Sequence, residues 1–275
     1  GHGWANLQSM HINLPFQGDE EFARLHAAVR LLLPLLPALA ASSPVMDGKL
    51  TGLLDSRLEV YRNNSRRIPQ VAGRVIPERA FSQAEYDRLI FQPLYAAIAP
   101  HDPAGILQEE FLNARGAIAR FSRGSIEIRV IDVQECPAAD LAIAQLAIAV
   151  LKMLVSEKWS SLQSQQQILI EPLEQVLLGA IRDAEEVVIR DPEYLSQLGI
   201  EGVSLTAGLV WDRLAKEAER AGLIDESVSA VTRIGRSSLA RGMAARLGEH
   251  PNADSLRETY GALASCLDLG ERFVQ

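Results

Sequence analysis

The spacing of hydrophobic and polar positions changes along the chain, and it predicts the order of the elements. Residues 9–14 alternate between apolar and polar, which is typical of a half-buried β-strand. Asp19 can then cap a helix whose apolar residues recur at three- and four-residue spacing, until Pro34 and Pro37 kink or end it. The chain therefore starts with a predicted strand and a predicted core helix.

Residues 41–77 have no regular period, because serine, glycine, asparagine and proline interrupt them repeatedly. We expect a long, mostly irregular segment, and loops of such length inside compact domains are often functional. For an acidic protein the segment is rich in arginine: Arg57, Arg62, Arg66, Arg67 and Arg74. For most of these arginines we favour the interpretation of solvated surface charge.

A Ser82–Glu85 capping box predicts the start of a helix that runs to about Ala99, and a short helix is expected near residues 107–114. A second clear strand is predicted for residues 125–133. In this strand one face is purely aliphatic, while Glu127 and Arg129 lie on the other. Adjacent charges on one face are unusual for a strand of the core.

Everything after Pro137 has the apolar spacing of helices, in residues 138–156, 162–190, 203–221, 226–247 and 253–269. We therefore predict an α+β protein, with a sheet-and-loop part in residues 1–137 and a helical bundle packed on it in residues 138–275.

Composition narrows the classes of function. The chain has 275 residues, 48% hydrophobic and 23% charged, as is ordinary for a soluble globular protein. A net charge of -8 and a pI near 5.3 argue against nucleic-acid binding.

The longest apolar stretches are short or broken, so we expect no membrane span. The two cysteines, far apart, suggest neither a disulfide framework nor a zinc site, and we predict a cytoplasmic location.

The strand residues carry the candidate chemistry. Glu127 and Arg129 offer an anionic group for a metal and a cationic group for a phosphate on one strand face, and His11 and Asn13 share a face of the first strand. All four converge if the two strands share a sheet with these faces on the same side. From the pattern alone, a cross-strand ion pair of Glu127 and Arg129 on a solvated sheet face is at least as well supported as a functional role. For His11, a hydrogen-bonded structural histidine is the commoner outcome. Glycine-rich phosphate loops and hydrolase motifs are absent from the sequence.

Four segments carry a resemblance to a known family. In order they are residues 10–15 (MHINLP), residues 40–44 (AASSP) with Gly48 and residues 51–52 (TG), residues 56–58 (SRL), and residues 126–133 (IEIRVIDV). Together they resemble the successive motifs of glutamate-cysteine ligases and related carboxylate-amine ligases, over roughly residues 5–155. The resemblance implies a curved antiparallel sheet of the glutamine synthetase catalytic-domain type, whose concave face holds ATP and metal ions.

The resemblance also implies roles for single residues. Glu127 would be a magnesium ligand, and His11 a ligand or close neighbour of a second metal. Arg129 would neutralise the γ-phosphate that ATP transfers. On the substrate side, Arg57 would hold a carboxylate in the bidentate geometry that suits arginine.

Tyr61 and Asn13 complete the implied substrate site, with Tyr61 lining the pocket of the amine. The implied reaction joins the γ-carboxylate of glutamate to cysteine or another amine through an acyl phosphate, as in glutathione biosynthesis. The partners expected are therefore small molecules, and a homo-oligomer is compatible with the sequence. Which amine is accepted stays open.

The sequence departs from the family in one respect. Members carry a strand with a G-x-E-x-E-like carboxylate pair well before the H-x-N strand, and nothing in this sequence precedes Gly1. We therefore expect the metal site to be incomplete and the chain alone to be inactive. A second hypothesis is a non-catalytic binding or scaffold protein that kept the sheet, and a third, ranked last, is a guanidino kinase on the same fold.

Overall fold

A computed structural model of the chain describes residues 7–232 and 237–273. It mixes helices with small antiparallel sheets and is 59% helical, which is compatible with the predicted α+β class. Most buried apolar side chains belong to one cluster, to which the strands near the start and the helices after Pro137 both contribute.

The strands are β1 (Ser9–Pro15), β2 (Val45–Met46), β3 (Lys49–Leu50), β4 (Ala117–Arg120), β5 (Ser125–Asp132), β6 (Val188–Ile189) and β7 (Leu205–Thr206). The helices of the first half are α1 (Gly18–Leu32), α2 (Leu36–Ala40), α3 (Ser56–Asn64), α4 (Gln83–Tyr86) and α5 (Gln92–Ile98). Those of the second half are α6 (Pro137–Val155), α7 (Leu162–Gln167), α8 (Ile170–Asp183), α9 (Pro192–Gln197), α10 (Ala207–Arg220), α11 (Glu226–Thr232), α12 (Leu239–Leu247) and α13 (Ala253–Leu269).

The main sheet has three antiparallel strands in the order β1-β5-β4. Asn13 of β1 and Ile118 of β4 both pair with Glu127 of β5. Because side chains alternate across a strand, the neighbouring positions Ile126 and Ile128 point to the opposite face, where they are fully buried. The register of β1 and β5 shifts next to His11, and such irregularities often re-aim a side chain beside a functional site.

The core helices α1 and α6 pack against each other. Pro34 and Pro37 act as predicted, since a 3-10 turn (Leu33–Leu35) separates α1 from α2. Two helical stretches, Gly18–Ala40 and Pro137–Val155, are long and apolar enough to cross a membrane by length and composition alone. Their windows are 78% and 56% buried within the protein, as in core helices, so they are weak evidence for a membrane span.

Several predicted elements needed correction. The segment 41–77 is mostly irregular, as predicted, but it also contains the β2–β3 hairpin and the nine-residue helix α3, which were not predicted. The helix expected near residues 107–114 is only a 3-10 turn (Glu110–Leu112). The helix expected over residues 162–190 breaks between α7 and α8 and ends in β6, and that over 203–221 begins with β7. Of the helix expected over 226–247, residues 233–236 lie outside the described residues.

The packing of the sheet around Gly116 can be tested by substitution. Its carbonyl accepts a hydrogen bond from the Arg129 backbone N–H at 2.8 Å, and an added Cβ would lie 2.5 Å from Val130 and 2.8 Å from Val75. We expect Gly116→Ala to lower the free energy of unfolding by about 1–3 kcal/mol, the usual cost of overpacking. Gly261 is the control: it lies inside α13 with no atom near its added Cβ, so Gly261→Ala should stabilise by about 0.5–1 kcal/mol. Urea unfolding of both variants checks this, and an unchanged Gly116→Ala protein would contradict the packing.

Candidate functional site

Asp132, at the end of β5, collects hydrogen bonds from two distant segments. Its Oδ2 accepts from the Ser42 backbone N–H at 2.9 Å and from the Ser43 hydroxyl at 2.7 Å. Its Oδ1 accepts from Nε of Arg57, the second residue of α3. Ser43 Oγ also accepts from the Arg57 backbone N–H at 3.1 Å. The AASSP, SRL and IEIRVIDV segments thus meet at one buried carboxylate.

Helix α3 starts at this point because Asp55 caps it, accepting from the Leu58 backbone N–H at 2.8 Å. Burial, and then the neighbouring Asp132 carboxylate, raise the pKa of Asp55 well above its usual range. Burial alone would lower the pKa of Arg57, but Asp132 and Asp55 outweigh it and raise that pKa. The guanidinium therefore stays charged although its side chain is only 6% exposed.

Glu127, in the middle of β5, is the centre of a second cluster. Its Oε1 lies 2.9 Å from Nδ1 of His11 and accepts from Nε of Arg129 at 2.8 Å. Its Oε2 lies 3.3 Å from Nη2 of Arg120 on β4. The predicted convergence of His11, Asn13, Glu127 and Arg129 on one sheet face is confirmed, since Asn13 pairs directly with Glu127.

The charges in this cluster shift the pKa values of its members. Burial alone would raise the pKa of Glu127, but the hydrogen bond and charge of Arg129, with Arg120 and His11, lower it. Burial lowers the pKa of His11, and the charges of Arg129 and Arg57 act in the same direction, while Glu127 opposes them. At neutral pH the face therefore carries a carboxylate, charged arginines and a neutral imidazole.

Tyr61 of α3 connects the two clusters. Its hydroxyl donates to the Arg115 carbonyl at 3.2 Å and the side chain is buried. Burial raises the pKa of Tyr61, while Arg129, which hydrogen-bonds to it, and Arg57 act to lower that pKa. The structure thus gathers all six residues predicted for the site, and their roles stay predictions.

The sequence interpretation missed three residues of this site: Asp55, Asp132 and Arg120. No role was predicted for Asp55 or Asp132, because sequence spacing does not show which distant segment a carboxylate will contact. Arg120 was missed together with β4. The sequence did contain one signal for β4, a glycine between residues 117–120 and β5, which is typical of a hairpin turn. In the structure this residue, Gly124, has a φ of +58° and ends that turn.

Magnesium fits the described residues only in part. Glu127 and His11 are adjacent donors, but magnesium takes about six ligands and prefers oxygen. Among the described residues no group of three or more His, Cys, Asp or Glu side chains could hold a metal ion. Glu127 and His11 would therefore need further ligands from elsewhere to hold magnesium.

A cavity of about 230 Å³ lies against Arg57. It is lined by Leu7, Ser43, Val45, Met46, Asp47, Ser56, Arg57 and Val60. Within the described residues, Nη1 and Nη2 of Arg57 are buried without a hydrogen-bond partner. A buried, charged fork with free donors is suited to a planar anion. A separate cavity of about 100 Å³, among α2, α6, α10 and α12, contains none of the site residues.

One protein family and two relatives match this chain over at least half of its length. The family described as glutamate-cysteine ligase family 2 matches residues 2–261, and the chain belongs to that family. Over 153 residues, 55% of this chain, it is 31% identical to a Nocardioides protein named "Putative glutamate--cysteine ligase 2-1".

A second relative, from Archaeoglobus fulgidus, is described as an uncharacterized protein and is 40% identical over 156 residues, 57% of this chain. The aligned parts span 42% of the Archaeoglobus protein and 35% of the Nocardioides protein. The chain thus spans less than half the length of these relatives.

The His11–Glu127 contact makes a prediction for the titration of His11. Glu127→Gln removes the negative charge that favours the imidazolium, so the pKa of His11 should fall further below its ordinary 6.5. Arg129→Gln removes an opposing positive charge and should raise it. Because the folded-state pKa lies below the unfolded one, neutral His11 contributes stability above about pH 6.5 that is lost as the pH falls. NMR titration of the His11 ring measures both shifts, and unchanged midpoints in both variants would refute the contact.

Proposed function

We propose that this chain supplies part of the active site of an ATP-dependent carboxylate-amine ligase of the glutamate-cysteine ligase type. The observation that carries the proposal is the convergence of the four motif segments on Asp132 and Glu127. Membership of the family supports the proposal. We infer that the sheet is part of a larger one of the glutamine synthetase type, that ATP and magnesium are needed, and that the enzyme is cytoplasmic.

Arg129 is the residue proposed to meet the transferred phosphoryl group. It is held beside Glu127 at 2.8 Å and is only 18% exposed, so its orientation is fixed before a ligand arrives. A guanidinium that is already oriented stabilises charge in the transition state without the cost of reorganisation. Magnesium, completed by ligands from outside the described residues, would neutralise further phosphate charge.

Arg57 is proposed to bind a substrate carboxylate through Nη1 and Nη2, which face no protein acceptor among the described residues. Asp132 holds the third nitrogen, Nε, and so fixes the plane of the fork. Asn13 and Tyr61 lie near enough to Glu127 and Arg129 to line the same substrate site.

The proposed reaction has two steps. An oxygen of the glutamate γ-carboxylate attacks the γ-phosphorus of ATP, and the bond to the bridging oxygen of ADP breaks, which gives an acyl phosphate and ADP. The neutral amine of the second substrate then attacks the acyl carbon, the bond to phosphate breaks, and the amine loses one proton. Arg129 compensates phosphate charge in both steps. Cysteine is one candidate amine.

A second candidate is a binding or scaffold protein without catalysis. The observation in its favour is that Glu127 already binds two arginines, and that no group of three or more His, Cys, Asp or Glu among the described residues could hold a metal ion. Magnesium-dependent ATP binding separates the two, because a scaffold should show none.

The test of the ligase proposal compares the 275-residue chain with the longest natural protein that contains its sequence. With ATP, magnesium, glutamate and a panel of amines, the longer protein should form ADP, phosphate and a γ-glutamyl amide in equal amounts. The chain alone should release no phosphate above background, because the residues that the structure describes supply too few metal ligands. Turnover by the chain alone would contradict the need for further ligands. No amide from the longer protein with any amine would contradict the ligase.

Arg129→Lys in that longer protein tests the role of Arg129. Lysine keeps the charge but loses the planar fork, so kcat should fall by about 10²- to 10³-fold if Arg129 meets the transition state. If Arg129 only pairs with Glu127, the change should cost at most about 1 kcal/mol of stability. Both quantities are measured on one variant. Arg123→Lys, an exposed arginine of the β4–β5 turn, is the matched control.

A further inference from the structure

We propose that Arg120 binds the same anionic phosphate group as Arg129, so that two arginines on neighbouring strands hold it from both sides of Glu127. The inference rests on the proposed function and adds a residue to its phosphate site. It starts from the register of the sheet: Arg120 pairs with Ser125, two positions from the Ile118–Glu127 pair. Positions two apart share a face, so Arg120 lies on the face of Glu127.

The contacts of Arg120 leave it only partly satisfied. Its Nη2 lies 3.3 Å from Oε2 of Glu127, a longer contact than the 2.8 Å from Arg129. The Nε atom of Arg120 is buried and has no hydrogen-bond partner within the described part of the chain. A side chain that is 16% exposed, charged and left with an unpaired donor is costly unless a further acceptor binds there.

The charge on this sheet face points to the class of ligand. Glu127 carries one negative charge, and Arg120 and Arg129, which both contact it, carry two positive ones. This leaves a surplus of one positive charge in a half-buried place. A phosphate oxygen between two guanidinium groups would balance the surplus and accept from both forks.

The alternative is that Arg120 only ties β4 to β5 through Glu127. A tether would affect stability, whereas a phosphate contact affects the affinity for a phosphate probe. The two roles can therefore be separated in the chain as it is, without any turnover.

The experiment is calorimetric titration of the 275-residue chain with inorganic tripolyphosphate, a probe that lacks the nucleoside. Arg120→Gln and Arg129→Gln should each weaken binding about tenfold to a hundredfold, as expected for a hydrogen bond to a charged group. Arg120→Lys should restore part of the loss. Arg123→Gln, with the same change of charge on an exposed arginine three residues away, should change the affinity less than about twofold, since exposed charges are screened. Thermal unfolding shows that each variant is folded.

The outcomes separate this inference from the proposed function. If Arg129→Gln weakens binding and a folded Arg120→Gln does not, Arg120 is a tether and the phosphate site stands without it. If all three glutamine variants lose affinity equally, the effect is one of net charge and the inference is wrong. If the wild-type chain does not bind tripolyphosphate at all, both this inference and the phosphate site are contradicted.

Discussion

The site depends on one buried ion pair, between Arg57 and Asp132. Two charges this deeply buried are tolerable only when both are well paired, and removing one partner of such a pair commonly costs about 3–5 kcal/mol. Ser42 and Ser43 supply the remaining hydrogen bonds of the carboxylate, so the pair joins the hairpin segment, α3 and β5 in a single network. Where α3 lies, and hence where Tyr61 and Arg57 point, follows from this pair.

Glu127 differs from Asp132 in how its charge is balanced. Asp132 is satisfied by the protein alone, whereas Glu127 gathers more positive charge than it can neutralise. The same strand thus carries a structural carboxylate at its end and a carboxylate among surplus cations in its middle. Asp132 therefore stabilises the fold, whereas Glu127, five residues earlier in the IEIRVIDV segment, belongs to the proposed ligand site.

Strong local patterns were predictable from the sequence. The alternation of β1 and β5 gave both strands and the shared face of His11 and Glu127, and the two prolines gave the end of α1. The helix α3 was missed because serines and glycines break the pattern around it, while tertiary contacts hold it: Asp55 caps it and Asp132 binds Arg57. Arg120 was missed because β4 is short and its partner was needed to reveal which face it shares.

The Arg57–Asp132 pair also has a consequence for the order of folding. Its partners are 75 residues apart in sequence, and Ser42 is 90 residues from Asp132. The entropy of closing such long loops is lost before the contact returns any stabilisation, which makes non-local contacts slow to form. Helices α1 and α6 can form from local contacts, but the anion-binding part of the molecule cannot. We therefore expect this protein to acquire its helical content before its binding site, so that partly folded molecules are helical and unable to bind ligand.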